Sequence, residues 1–376
     1  ESPIETAATA LTDTERAVET LLDQLDAEHA DLTFVFFSPE HDEEVVRDHL
    51  DRRTRARGVA GTTAGEVSDR GFSRGTMSGM SLHGDDVRAA VDVVPNLDEL
   101  SLVPLSKFPK RLAGQIGRDP DDLSPDRHVW ILLLDGLSGS EELLTPFFMQ
   151  SAPETGLVGG SLADDLQHEG TSLVHHGRTY SDAAALVLLE YDRPFALFSG
   201  NHMEFTEETV EVTGVTDGGR RLTKLDGDDA VDRYAELLDL DPSEIDADVT
   251  VRHPFGFPFR GRPYVCSIRQ IHDSGSFSMA NTVHRGDELH LLETQDLVED
   301  TDRAITSARE ELGPATDARG MLAFHCVGRF LEAKVRENCD ELADVLTQIP
   351  VSGLNTYGEQ FGAVHTNHSL TGVIFG

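Results

Sequence analysis

Three stretches of the chain repeat one pattern, so the fold must be built from copies of a single supersecondary unit. Each stretch is an apolar strand, an amphipathic helix, and a second short strand running into a turn with glycine and a carboxylate. The first is Leu32–Phe37, a helix around Val45 and Leu50, then Gly61-Thr62-Thr63-Ala64-Gly65-Glu66. The second is Val129–Leu134, a helix around Leu144 and Phe148, then Gly159-Gly160-Ser161-Leu162-Ala163-Asp164. The third is Met321–His325, a helix around Val335 and Leu342, then Gly353-Leu354-Asn355-Thr356-Tyr357-Gly358-Glu359. Three similar turns offer three places where backbone and carboxylate can grip a small ligand.

Strands and helices alternate, but several strands follow one another with no helix between them. That excludes a pure parallel array. It predicts an α/β (α+β) fold of repeated β-α-β-β units, with mixed sheets and helices on their outer faces. Thr12-x-x-Glu15 resembles a capping box, and Val18, Leu21, Leu22 and Leu25 share a helical face. Residues 1–29 are therefore expected to be a lead-in helix. A boundary near Tyr191–Pro194 divides the rest into an N-terminal domain, 30–192, and a C-terminal domain, 193–376.

Acidic residues outnumber basic ones by 68 to 31, for a formal charge of -37. They are spread along the chain, which fits a high-salt cytoplasm. At molar salt the Debye length shrinks to about 3 Å and self-repulsion is tolerated. Phosphate recognition needs clustered Lys and Arg, so the composition argues against nucleic acid, and equally against anionic membranes. No apolar run reaches the roughly 18 residues a membrane helix needs. Cys266, Cys326 and Cys339 are odd in number and widely spaced, giving neither a disulfide framework nor a metal knuckle. A reduced, cytoplasmic setting is expected.

The turns hold the candidate site. Glu66 and Glu359 have two open readings: each meets the amine of a ligand, or each accepts hydrogen bonds and holds its own turn. Asn355, Thr356, Tyr357 and Gly358 surround Glu359 with donors, acceptors, an aromatic wall and a permissive backbone. Arg329 opens a helix, where a cation is electrostatically misplaced. It is explained by a bound carboxylate or by a salt bridge. Cys326 is a candidate nucleophile with His325 as base, but neighbours on a strand point to opposite faces. A hydrolase or transferase using Cys326 or Ser161 is the enzymatic alternative, although Ser161 lacks the G-x-S-x-G frame. His365-x-x-His368 and His175-His176 have no third ligand at a metal-binding spacing. No cofactor or metal is expected, and no nucleotide-binding glycine motif is present.

At these residues the chain resembles the FIST proteins. The matching pieces are Gly61 to Glu66, Leu134-Asp135-Gly136-Leu137 with Leu157 to Ser161, Leu222 to Gly227, Phe324 to Arg329, Val351 to Glu359, and Asn367-His368-Ser369-Leu370-Thr371. They occur in family order from about residue 30 to the end. The resemblance implies FIST N and FIST C domains forming a sensory module that binds small ligands, amino acids among them. It also brings a haem and nitric-oxide sensing alternative, for which no axial ligand is evident. Val327 and Phe330 depart from the small or polar residues expected beside Gly328-Arg329. The expected protein is a stand-alone sensor, acidic as in a halophilic archaeon, that binds an amino acid or similar metabolite between its domains. It would signal to a separate partner. Arg329 would hold the carboxylate, Glu359 or Glu66 the amine, and Asn355 and Tyr357 would orient the ligand, with Gly358, Ser161 and Cys326 nearby.

Overall fold

The computed structural model describes residues 3–101, 105–151 and 155–376. Its framework is one four-stranded sheet used three times. In the first unit the order is Ile4–Thr9, Met77–Leu82, Leu32–Phe37, Gly58–Thr62. In the second it is Val87–Pro95, Ala183–Tyr191, His128–Asp135, Gly156–Leu162. In the third it is Phe195–Asn201, Ser369–Phe375, Gly320–Cys326, Val351–Thr356. Each has one parallel pair, which is the apolar repeat seen in the sequence, and is otherwise antiparallel. The fold is thus α+β, with mixed sheets.

The apolar runs are continuous because these strands are covered on both faces. Alternate side chains go to different cores. Phe34 and Phe36, Ile131 and Leu133, and Leu322 and Phe324 meet in one central core shared by all three sheets. Their neighbours Val35 and Phe37, Leu132 and Leu134, and Met321 and Ala323 lie under the outer helices. Those helices are Thr14–Gln24 and Glu43–Thr54 on the first sheet, Phe108–Gln115 and Glu141–Ser151 on the second, and Leu297–Glu311 and Cys339–Leu346 on the third.

The units are interlocked. After its second repeat strand each unit sends out a hairpin that extends a different unit's sheet. Glu66–Ser68 pairs with the third unit at Val67↔Gly353. Leu173–His175 pairs with the first at Val174↔Ala60. Glu359–Phe361 pairs with the second at Gln360↔Gly159. The exchange closes a ring, in which each unit gives one hairpin and receives one.

The third unit carries a large insertion. Residues 203–294 form an eight-stranded antiparallel sheet with helices Ala230–Leu237 and Ala247–Arg252 and a separate core around Val212, Tyr234, Phe255 and Phe277. The joint at 192–194 lies between the second and third units. The expected lead-in helix is corrected at its start. Residues 4–9 are a strand, because pairing with Met77–Leu82 overrides local helix preference, and the helix begins at Thr14 with Asp13 as its cap.

Gly159 and Gly353 occupy equivalent strand positions. A Cβ there would run into the carbonyl oxygens of Leu132 and Ala323, one strand over. Gly353→Ala should therefore destabilise the protein by about 2–3 kcal/mol, measured by urea unfolding. A variant as stable as the parent would contradict the tight pairing.

Candidate functional site

The three turns meet at the centre of the ring. Ala163 N donates to Thr62 O (3.1 Å) and Asp165 N to Thr63 O (3.0 Å). Ala64 N donates to Asn355 O (3.0 Å) and Asn355 N to Gly65 O (2.7 Å). Ser161 N donates to Gly358 O (2.8 Å) and Tyr357 N to Ser161 O (3.1 Å). Ala64, Ala163 and Tyr357 pack against one another at this junction.

The turn carboxylates face inward and are fully buried. Glu66 accepts from Thr63 Oγ1 (2.5 Å), Thr76 N (3.3 Å) and Thr76 Oγ1. Glu359 accepts from Thr356 Oγ1, Ser369 N (3.1 Å) and Ser369 Oγ (2.6 Å). The two sites are copies, each tying a turn to the strand that returns after the hairpin. Of the two readings the sequence left open, this geometry is the turn-holding one. Burial pushes Glu66 up to about 7 and Glu359 up to about 8.

Arg329 is fully buried. It donates to His202 Nδ1 (3.0 Å), Asp300 Oδ2 (3.2 Å) and Thr301 Oγ1 (2.6 Å). Because His202 Nδ1 accepts, its Nε2 carries the proton toward Glu332 at 2.6 Å. The guanidinium thus makes a salt bridge at the root of the insertion. Asn355 gives its Oδ1 to His325 Nδ1 (2.9 Å), and Ser161 Oγ accepts from Gln360 Nε2 (3.1 Å). Gly358 gives room to the His365 ring. These four residues, with Glu66 and Glu359, do not line the cavity described next. Cys326 and Tyr357 do. Burial and the Glu359 carboxylate hold the Cys326 thiol far above its ordinary pKa. His325 Nδ1 donates to Asn355 Oδ1, and among the described residues no hydrogen bond joins the His325 ring to the Cys326 thiol.

A cavity of about 380 Å³ lies between the ring and the insertion, a common setting for small-molecule sites. On the ring side are Leu166, His168, Tyr357, Asn367, His368 and the start of the helix Val327–Val335. Facing them are the helix Ala247–Arg252 and the strand Ile268–His272 of the insertion. Arg269 reaches from that strand to donate to Gly136 O (2.8 Å), with its guanidinium 5.8 Å from the Tyr357 ring centre. His168 stacks on the same ring at 5.0 Å. Tyr357 OH donates to Asp164 and accepts from Leu166 N, so the ring is fixed.

Several polar groups at this cavity are unspent. Among the described residues Arg269 has no ion-pair partner within 4.0 Å, whereas Arg329 does. Asn367 Oδ1, His368 Nδ1 and Ser267 Oγ are buried without a hydrogen-bond partner. Gly328 lets the His368 ring sit against the first turn of the helix, since a Cβ would lie 2.9 Å from it. Burial keeps His368 neutral, lowering it to about 3, and lowers His168 as well. Arg329 follows a repeat strand and is visible in the sequence pattern, whereas Arg269 lies in the insertion, outside the three repeats, where no repeat signal marks it. Asn367-His368 stood in a recognised segment but carried no spacing signal.

Two measurements check this account of the buried groups. Arg329→Ala should cost about 3–5 kcal/mol, because Asp300 would be left buried and partly uncompensated. Urea unfolding reads it, and a loss below about 1 kcal/mol would contradict the salt bridge. Stability should also depend on pH with a defined sign. His325, His365 and His368 are held near 3, so the unfolded chain binds more protons up to about pH 6.5 and stability rises to that point. Glu66 and Glu359 keep their protons when folded, so from about pH 4.5 to 8 they make stability fall as pH rises. Above pH 6.5 only the carboxylate effect remains. The unfolding free energy should decline from about pH 6.5 to 8, and Glu359→Gln should flatten that decline. An equal decline in the variant would contradict it.

Among the described residues no helix is long and apolar enough to cross a membrane. No curated protein matches the chain. The FIST N domain matches residues 31–228 and the FIST C domain residues 230–362. FIST domains are sensory domains that bind small ligands. With the two domain matches together spanning most of its length, this chain belongs to the FIST family.

Proposed function

We propose that the chain is a cytoplasmic sensor that takes a small carboxylate-bearing metabolite, of amino-acid size, into the cavity between ring and insertion. The observation that carries this reading is Arg269, a half-buried arginine with no ion-pair partner within 4.0 Å among the described residues, placed in the cavity wall. A cation partly withdrawn from water gains from an opposite charge, and a ligand carboxylate pairs it bidentately. The first turn of the helix Val327–Val335 adds a favourable dipole on the opposite wall.

Because the walls come from two parts of the molecule, ligand binding favours one placement of the insertion over others. A division into 30–192 and 193–376 keeps the insertion whole in the C-terminal domain, whereas the two domain matches meet within it, at 228 and 230. A separate partner reads that placement. What supports a partner is the insertion's outer hairpin, Phe255–Phe259 and Arg262–Cys266. Residues 249–272 contain no Asp or Glu but four arginines, in a chain of charge -37. Phe259 is 44% exposed at the hairpin tip, beside Arg260. The chemistry fits an acidic protein surface with apolar side chains. Cytoplasmic residence is supported by three free cysteines.

The test is ligand-induced thermal stabilisation across a panel of small carboxylates. A ligand at 100 times its Kd stabilises by about 2.7 kcal/mol. Arg269→Ala should weaken binding by about 10- to 100-fold, the worth of a charged hydrogen-bonded pair, while the unliganded protein still unfolds cooperatively, with a melting temperature lowered by the loss of the bond to Gly136 O. An undiminished shift in the variant would remove Arg269 from the site.

A further inference from the structure

We infer that the cavity selects a monoanionic carboxylic acid with an apolar body and rejects the corresponding zwitterionic amino acid. The inference deepens the proposed function and rests on it. Its basis is the charge inventory of the walls. No Asp or Glu is among the described residues that line the cavity, and Arg269 is the one formally charged side chain there. Of the two lining imidazoles, His368 is held neutral by full burial, and His168, which is exposed, is lowered by partial desolvation and by the nearby Arg269. The carboxylates that sequence reading assigned to a ligand amine, Glu66 and Glu359, are spent on their own turns. Behind the wall, Asp164 is occupied by the Tyr357 hydroxyl and three backbone N–H groups, and the buried Glu141 is answered by the guanidinium groups of Arg220 and Arg269.

A zwitterion would therefore bring its carboxylate to Arg269 and leave its ammonium in the same space, without a countercharge and near a cation. Desolvating an ion with no opposite charge is unfavourable, and repulsion between like charges adds to it. An acid lacking the ammonium avoids both costs. The remaining walls suit a hydrocarbon body. Ala247, Val251, Ile268 and Ile271 of the insertion face Val327 and Leu331 of the ring. The orphan Asn367 Oδ1 is oriented by its amide nitrogen, which donates to Tyr357 O (3.0 Å). It suits a neutral donor such as a hydroxyl.

Matched pairs of ligands test the inference: 4-methylpentanoate against leucine, and 3-phenylpropanoate against phenylalanine. Calorimetric titration of the full chain at pH 7.5 should show each deaminated acid binding at least about tenfold tighter than its amino acid. The methyl ester of the better acid should bind at least about tenfold more weakly than the acid, a control on the ligand side that does not depend on a variant folding. Arg269→Gln should bring acid and ester to similar affinity. Amino acids binding as tightly as their deaminated partners, or tighter, would overturn the inference while leaving the small-ligand reading intact. No binding of any acid or amino acid would overturn both. Binding of acid and ester with equal affinity to the parent would overturn the role of Arg269.

Discussion

The exchange of hairpins between units is the interaction on which the rest of the structure depends. A four-stranded sheet with an open edge is a liability, because its unpaired N–H and C=O groups invite association. Here each unit covers the edge of another with Glu66–Ser73, Leu173–Tyr180 or Glu359–Thr366. The same exchange forces the turn before each hairpin to the middle of the ring. Residues some 290 positions apart, such as Gly65 and Asn355, hydrogen bond there as a direct result. The central turns are rigid for this reason, and rigid walls are what a selective pocket needs.

Rigidity at the turns separates two jobs that a sequence alone merges. A carboxylate in a glycine turn can serve a ligand or the backbone, and Glu66 and Glu359 serve the backbone through the same three contacts in two different units. Arg329 likewise joins the helix Leu297–Glu311 to His202, where the insertion leaves the third unit. It fixes the root of the insertion. The insertion in turn supplies Arg269 to the opposite wall. One buried arginine positions the part of the molecule that presents the other.

The repeat was legible because its strands are buried on both faces and read as apolar runs. Three such runs, each followed by helix and turn, gave the α+β units with outer helices. The first strand was not legible: Ile-Glu-Thr-Ala-Ala-Thr at 4–9 acquires its extended form from pairing with residues 77–82. Hairpin exchange was invisible for the same reason, since a three-residue strand such as Glu66–Ser68 owes its partner to topology. At the site, the meeting of the turns and the wall position of Tyr357 and Cys326 follow from the repeated motif. Arg269 does not, because an arginine's function depends on whether an acid stands nearby. With 68 acidic residues in the chain, no spacing rule shows which arginine is left without one.

Hydrogen–deuterium exchange of the full chain, with and without saturating 4-methylpentanoate, tests most directly whether ring and insertion share one ligand site. The account predicts new protection in peptides covering 268–272 of the insertion and 326–331 of the ring together. Protection confined to one of these segments, or appearing only elsewhere in the chain, would contradict it.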